Sequence, residues 1–295
     1  MNFDFSTSLF YNRSASAMTE LTAGANKLYE QLSTGKRILS PSDDSAAWQK
    51  LQGLAQAKAD ATVDTANVKL AQGVLQQADS TLTAIGDQLK SAMDLAVQAG
   101  NGTLTPEAKA AIATQLQGVL DSVVSLANTK DARGVALFGG QDDTGAVTLA
   151  NGKLTFAGGT AGAIPIGDGQ TVQATVNAKT FLKSGDDDLA SVLTGMITAL
   201  NAGESLPVGS ADKLTAIADQ TTGVQASLGA RAARVDLVYA QQTTQATDRE
   251  AARSSLEDVD VTQAITDLQK TMTVLSATQA SFSKLQSLSL FDYLR

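Results

Sequence analysis

Three acidic groupings are the residues best equipped for chemistry in this sequence. Asp186-Asp187-Asp188 could hold a hard cation through carboxylate oxygens, but the run lacks the glycine and the closing glutamate of a calcium loop. Glu257-Asp258 with Asp260 could form an acid–base set. On a helix, however, residues 257 and 258 diverge by about 100°, and no histidine or lysine is placed beside them. Asp43-Asp44 and the 186–188 run both suit helix starts, where carboxylates meet the positive end of the helix dipole. The 257–260 group suits a surface or interhelical polar network. Gly139-Gly140 and Gly158-Gly159 do not cradle a phosphate, because neither leads into Gly-Lys-Ser/Thr. The chain has neither cysteine nor histidine, which removes thiol nucleophiles, imidazole bases and thiolate or imidazole metal ligands. The sequence therefore predicts no enzyme, no metal site and no cofactor.

The bulk composition narrows the classes further. In 295 residues, Lys and Arg total 22 and Asp and Glu total 30, a formal charge of -8. Non-specific nucleic-acid binding draws its affinity from Lys and Arg neutralising phosphates, so no nucleic-acid partner is expected. The longest apolar runs, such as 135–138, have four residues, against ~20 for a membrane span, so no membrane insertion is expected. No positive stretch followed by an apolar one opens the chain. That fits a cytoplasmic protein, or export by a route that reads an uncleaved N-terminus. Aromatics are only 4% of the chain. Many small residues favour close helix–helix contact over a large globular core.

The elements that must carry any function are long helices flanking a glycine-rich middle. Met18, Leu21, Ala25, Leu28 and Leu32 step by three and four, a helix face that Gly35 ends. Ser40-Pro41-Ser42-Asp43 predicts the next helix start, with Ser40 as cap and Asp43 reaching back. Then Leu54, Ala61, Val68, Leu75, Leu82, Leu89 and Ala96 repeat every seven residues. Ala57, Asp64, Ala71, Ala78, Ile85, Ala92 and Ala99 repeat beside them. This is a coiled-coil seam with Asp64 as its odd member, roughly 80 Å long over 44–99. Gly100-Asn101-Gly102 stops it and Thr105-Pro106-Glu107 starts another helix, predicting an antiparallel hairpin. Of 24 glycines, 11 lie between 134 and 185. Short strands are expected there at 147–149, 153–156 and 171–176, with Asn151-Gly152 as a hairpin turn. Helical stripes resume at Leu214, Ile217, Thr221, Val224, Leu228, Arg231, Val235 and Val238, with a polar interruption at 241–247. A last stripe starts at Val261, and no glycine or proline after Gly229 forces a break.

The fold expected is mainly α, an elongated antiparallel helical bundle or coiled coil formed by the N- and C-terminal regions with a small β-rich inserted domain. Its parts are 1–43 with 256–295 as a terminal helical core, 44–138 with 186–255 as a helical bundle, and 139–185 as the β-rich insert. Two terminal helices paired alone are too thin to shield their apolar faces, and unshielded surface of that size marks a partner. The subunit interface is therefore expected at Leu21, Leu28, Leu32, Ile265, Leu268, Met272, Leu275, Phe282, Leu285, Leu288, Leu290, Phe291 and Leu294.

At Gln31-Leu32-Ser33-Thr34-Gly35-Lys36-Arg37-Ile38-Leu39-Ser40-Pro41-Ser42-Asp43-Asp44 the chain resembles the N-terminal signature of the flagellin superfamily. Ala99-Gly100-Asn101-Gly102-Thr103-Leu104, Leu126-Ala127-Asn128-Thr129 and Leu137-Phe138-Gly139-Gly140 agree with it. So do Ser255-Leu256-Glu257-Asp258-Val259-Asp260 and Leu288-Ser289-Leu290-Phe291-Asp292-Tyr293-Leu294. The last motif and Leu137-Phe138-Gly139-Gly140 are similar to the superfamily's hook–filament junction members. The resemblance leaves out roughly 141–210. Ser45 departs from the family's frequent proline, and Trp48 is unusually bulky. The resemblance implies a secreted structural protein of the bacterial flagellum, exported without a cleaved signal and held beforehand by a flagellar export chaperone. It implies packing against neighbouring copies, a hook-side junction protein and flagellin, through terminal helices that form a coiled-coil core. The alternatives are a short flagellin that polymerises into the filament, and a carbohydrate-binding module or adhesin built on the middle.

Overall fold

A computed structural model describes residues 2–140, 145–160 and 162–293, with side chains at these positions except 2–8, 10 and 285–293. The described residues form seven helices and six short strands. The helices are α1 (Asn2–Thr34), α2 (Ser45–Ala99), α3 (Pro106–Ala127), α4 (Lys179–Leu182), α5 (Leu189–Asn201), α6 (Ser210–Glu257) and α7 (Val261–Tyr293). The strands are β1 (Val147–Ala150), β2 (Lys153–Phe156), β3 (Ala163–Gly167), β4 (Gln170–Gln173), β5 (Lys183–Ser184) and β6 (Asp187–Asp188). The mainly helical class is as expected. The chain divides into two compact units, residues 1–59 with 245–295 and residues 60–244.

The larger unit is organised by the heptad seam of α2. Val68, Ala71, Ala78, Leu82, Ile85, Leu89 and Ala92 are wholly buried, and Leu75, Ala96 and Ala99 nearly so. Alanine on one row lets the neighbouring helices approach closely. Helix α6 runs antiparallel beside α2, as three side-chain contacts show: Gln72 Nε2 to Asp236 (2.7 Å), Gln225 Nε2 to Asp79 (3.1 Å) and Thr65 Oγ1 to Gln242 (3.3 Å). Its stripe residues Leu214, Ile217, Thr221, Leu228 and Val235 are buried. Helix α3 returns along α2 after the Gly100–Gly102 loop, and Gln77 Nε2 reaches the Lys130 carbonyl at 2.9 Å. Thr105 caps it, accepting from Ala108 N, with Pro106 in the first turn. Helix α3 is long and apolar enough to cross a membrane. Here its apolar face, including Ile112, Leu116, Leu120 and Val123, is buried in this unit's core.

The glycine-rich middle forms three antiparallel two-stranded hairpins: β1–β2, β3–β4 and β5–β6. Asn151 and Gly152 turn the first with φ of 53° and 72°, the primed turn expected of Asn-Gly. The β3–β4 hairpin corrects the sequence reading: β3 was not anticipated, and its partner spans Gln170–Gln173 rather than 171–176. Asp168 and Gly169, with φ of 49° and 68°, form its turn. Val147, Leu154, Ile164, Ile166 and Val172 point inward and join the same buried cluster as α2, α3, α5 and α6. Short hairpins with few large residues gain stability by packing on helices rather than on one another.

The expected helix start at 40–43 is also corrected. Helix α2 begins at Ser45, with Asp44 as its cap accepting from Ala47 N at 2.9 Å, so Ser40 and Pro41 lie in a preceding turn. Helix α6 continues through the polar stretch 241–247, where no glycine or proline forces a break, and stops at Glu257.

Gly140 is held at φ 74°, and a Cβ there would sit 2.5 Å from the Gly159 carbonyl carbon and oxygen. Both the left-handed backbone and the backbone clash oppose a side chain. Gly140→Ala is expected to destabilise the larger unit by about 2 kcal/mol or more, read as an earlier midpoint in urea unfolding.

Candidate assembly interface

Helices α1 and α7 lie antiparallel within the smaller unit. Their seam is built from Tyr11, Leu21, Ala25, Leu28 and Leu32 on α1 against Ala264, Leu268, Leu275 and Phe282 on α7. Ala25 and Ala264 are the buried pair, 3% and 4% exposed, while the leucines and Phe282 are half-buried. Tyr11 and Phe282 meet edge to face, with ring centroids 5.4 Å apart, an arrangement favoured by the ring quadrupoles.

The predicted stripe of α7 therefore divides. Leu268, Leu275 and Phe282 fall one heptad apart and face α1. Ile265 and Met272 sit on the flank and stay 43% and 39% exposed. Val261, Val274 and, on α1, Tyr29 and Leu9 are exposed as well. Sequence reasoning did not single out Tyr11, Tyr29, Ala25 or Ala264 as site residues. The heptad spacing of Ala25 with Leu32 and of Ala264 with Thr271 was the available signal. Leu285, Leu288, Leu290 and Phe291 belong to the stretch of α7 whose side chains are outside those described, and Leu294 lies outside the described residues.

At the base of this pair, the break between α1 and α2 is tied to the break between α6 and α7. Gly35 leaves α1 with φ 72°. Lys36 then bridges Asp258 in a short antiparallel pairing. Arg37 N donates to the Glu257 carbonyl at 2.6 Å, and Val259 N donates to the Gly35 carbonyl at 3.0 Å. Side chains double the tie. Lys36 pairs with Glu257 at 2.5 Å, Arg37 Nη2 donates to the Leu256 carbonyl at 2.8 Å, and Gln31 Nε2 donates to the Arg37 carbonyl at 2.7 Å. Arg253 joins Glu257 and Glu250, and Glu250 also meets Lys58 at 3.8 Å. Asp43 accepts from the backbone N–H groups of Leu39 and Ser40, both at 2.9 Å, and pairs with Lys27 at 2.6 Å. Beneath these groups Ile38, Ala47 and Leu51 form a small buried cluster with Trp48 and Leu256 against it. The bulky Trp48 thus fills a packing position.

These contacts set the electrostatics. The Lys27 hydrogen bond, helped by the two backbone N–H groups, holds the Asp43 carboxyl far below the usual carboxylate range. Lys36 and then Arg253 hold Glu257 below its usual range despite burial, and Arg253 does the same for Glu250. The Arg253 guanidinium is held still more firmly protonated by Glu250 and Glu257.

Members of the acidic groupings take part in caps and ion pairs. Glu257 and Asp258 belong to this network, and Asp260 caps α7 by accepting from Gln263 N at 3.0 Å. Asp188 caps α5 in a reciprocal box with Ser191, and Asp187 pairs with Lys213 at 2.9 Å. Among the described residues no three potential metal ligands come together. A groove of about 780 Å³ beside β2 mixes lysines 153, 179 and 183 with aspartates 186–188. Phe156 is half-buried there, and Phe181 is buried against Phe138, with ring centroids 5.0 Å apart.

The family profile of the bacterial flagellin N-terminal helical region matches residues 5–143, and that of the C-terminal helical region matches 211–294. The chain is 28% identical to flagellar hook-associated protein 3 of Escherichia coli (strain K12), covering 98% of each chain. It is 25% identical to a flagellin of Listeria monocytogenes over 84% of this chain and 83% of that one. Among solved structures it shares its fold with a flagellar hook-associated protein-3 of Legionella pneumophila. That match has a TM-score of 0.62 at 14% identity and covers 70% of this chain and 98% of the other.

Proposed function

The chain belongs to the flagellin family, and from that premise we propose that it joins hook-side junction subunits to the flagellin filament. The observation that carries the reading is the similarity to hook-associated protein 3 along 98% of both chains, which exceeds the reach of the flagellin match. The contact surface is the α1–α7 pair. Its half-buried seam at Leu21, Leu28, Leu32, Leu268, Leu275 and Phe282 needs neighbours to be fully covered. Exposed Ile265 and Met272 extend the surface outward, and Leu285, Leu288, Leu290, Phe291 and Leu294 continue it by sequence. Burying such a face against other helices supplies the free energy of association. The neighbours are copies of the chain itself, a hook-side junction protein and flagellin, after an export chaperone has released the chain. The role is structural and extracellular, at the hook–filament junction.

Junction and filament roles make opposite demands. A filament subunit must propagate on itself indefinitely, whereas a junction subunit must stop after one layer. The purified chain at high concentration and added salt is expected to remain as short species by electron microscopy, and immunogold labelling should mark one band between hook and filament. Micrometre filaments from the purified chain would instead establish the short-flagellin reading.

A further inference from the structure

We propose that Asn101-Gly102, in the loop between α2 and α3, modifies itself: the asparagine amide is lost as ammonia, leaving aspartate or isoaspartate at position 101. The inference does not rest on the flagellar reading. Asn101 Oδ1 accepts from Thr103 N at 3.2 Å and from Thr103 Oγ1 at 2.8 Å. A backbone N–H only donates, so the side-chain atom facing it is the carbonyl oxygen. Both donors draw electron density from Cγ and stand where an oxyanion forms on attack. The nucleophile is the next residue of the chain. Among the described residues nothing accepts from the Gly102 N–H, and glycine brings no side chain to obstruct ring closure. The flanking backbone is pinned, with Asn101 N on the Gln98 carbonyl at 3.1 Å and Leu104 N on the Asn101 carbonyl at 3.3 Å. Asn101 and Gly102 are both exposed, so water reaches them.

Water is the only co-reactant the reaction needs. Solvent base removes the Gly102 amide proton, and the nitrogen attacks Asn101 Cγ to close a cyclic imide. Negative charge builds on Oδ1, between the two Thr103 donors. As the carbonyl re-forms, the Cγ–Nδ2 bond breaks and Nδ2 leaves as ammonia, taking a proton from water. Water then opens the imide. Cleavage at Cγ gives aspartate, and cleavage at the main-chain carbonyl gives isoaspartate, with the chain running through Cγ. Either product adds a negative charge. Isoaspartate also lengthens the connection by a methylene just before Leu104, which packs on the core, and Thr105, which caps α3.

Asn151-Gly152 is the same dipeptide in a different setting. Among the described residues no group donates to the Asn151 side chain. Its turn is held by the β1–β2 pairing of Ala150 with Lys153. It also lies against α5, since a Cβ at Gly152 would sit 2.8 Å from the Thr194 side chain.

The test ages the full-length protein in mildly alkaline buffer, then reads amide-to-acid conversion and isoaspartate at each site by mass spectrometry of its peptides. In the folded protein Asn101 should convert roughly tenfold faster than Asn151, the scale of one hydrogen bond to a developing charge. In urea the two rates should become similar, because the fold no longer separates them. Thr103→Val keeps the backbone donor but loses the hydroxyl, and should slow Asn101 by roughly tenfold. Thr103→Ser should behave as the parent. Gly102→Ala should also slow the reaction while leaving the helicity unchanged, because its Cβ meets nothing within 4 Å. Equal rates at Asn101 and Asn151 in the folded protein would overturn the inference. So would a gap that persists in urea, or a Thr103→Val chain that converts at the parent's rate.

Discussion

Leu82→Asp is expected to destabilise the larger unit by ~3 kcal/mol or more, because it places an unpaired charge where no water reaches. Leu82 is 0% exposed in the α2 seam, and Leu75, at 2%, should respond alike. In a unit of this size the loss corresponds to a fall in Tm of roughly 10 °C. The effect follows from register: Leu82 lies on the large row, in the same buried cluster as the stripe of α6 and the apolar face of α3. Asp64 is the internal control. It occupies the same seam but is half-buried, beside Gly167 at the tip of the β3–β4 hairpin. Asp64→Ala should change stability by no more than about 0.5 kcal/mol. A thermal melt that finds Leu82→Asp as stable as the parent would show the seam to be out of register.

That seam was legible because a heptad is a local, repeated signal, and burial falls where the period puts it. Asn151-Gly152 was legible for a similar reason: two adjacent residues encode the primed turn. The β3 strand was not, since Pro165 weakens a strand pattern and the decisive contacts come from distant helices. Gln242 Nε2 binds the Ile166 carbonyl at 2.8 Å, and Arg231 Nη1 binds that of Gln173 at 2.8 Å. The break at 258–260 was hidden for the same physical reason. No helix breaker stands there; the backbone is drawn out of the helix by residues 35–37, more than two hundred positions away. At the interface, the period of α7 marked which residues are apolar. It could not say which of them α1 covers, because Leu268 and Ile265 differ only in where the partner helix lies.

Phe282→Asp is expected to abolish assembly while leaving the larger unit folded. Phe282 sits in the seam of the α1–α7 pair, with Tyr11 edge to face against its ring. A carboxylate there loses the aromatic contact and puts a charge into a surface that must become dry when neighbours pack. Leu275→Asp, one heptad closer to the base of the pair, should act in the same way. Neither position contributes to the α2 seam, so helicity of 60–244 and its melting should be retained. Cells carrying either change should build hooks and export flagellin, yet release it as monomers, because the filament has nothing to grow from. Swimming and flagellin in the medium are the measurements. Loss of motility with soluble flagellin outside the cell supports the C-terminal stripe as the assembly contact. Normal swimming by the Phe282→Asp strain would move that contact elsewhere on the chain. Loss of motility with flagellin retained inside would place the defect in export, before any subunit contact forms.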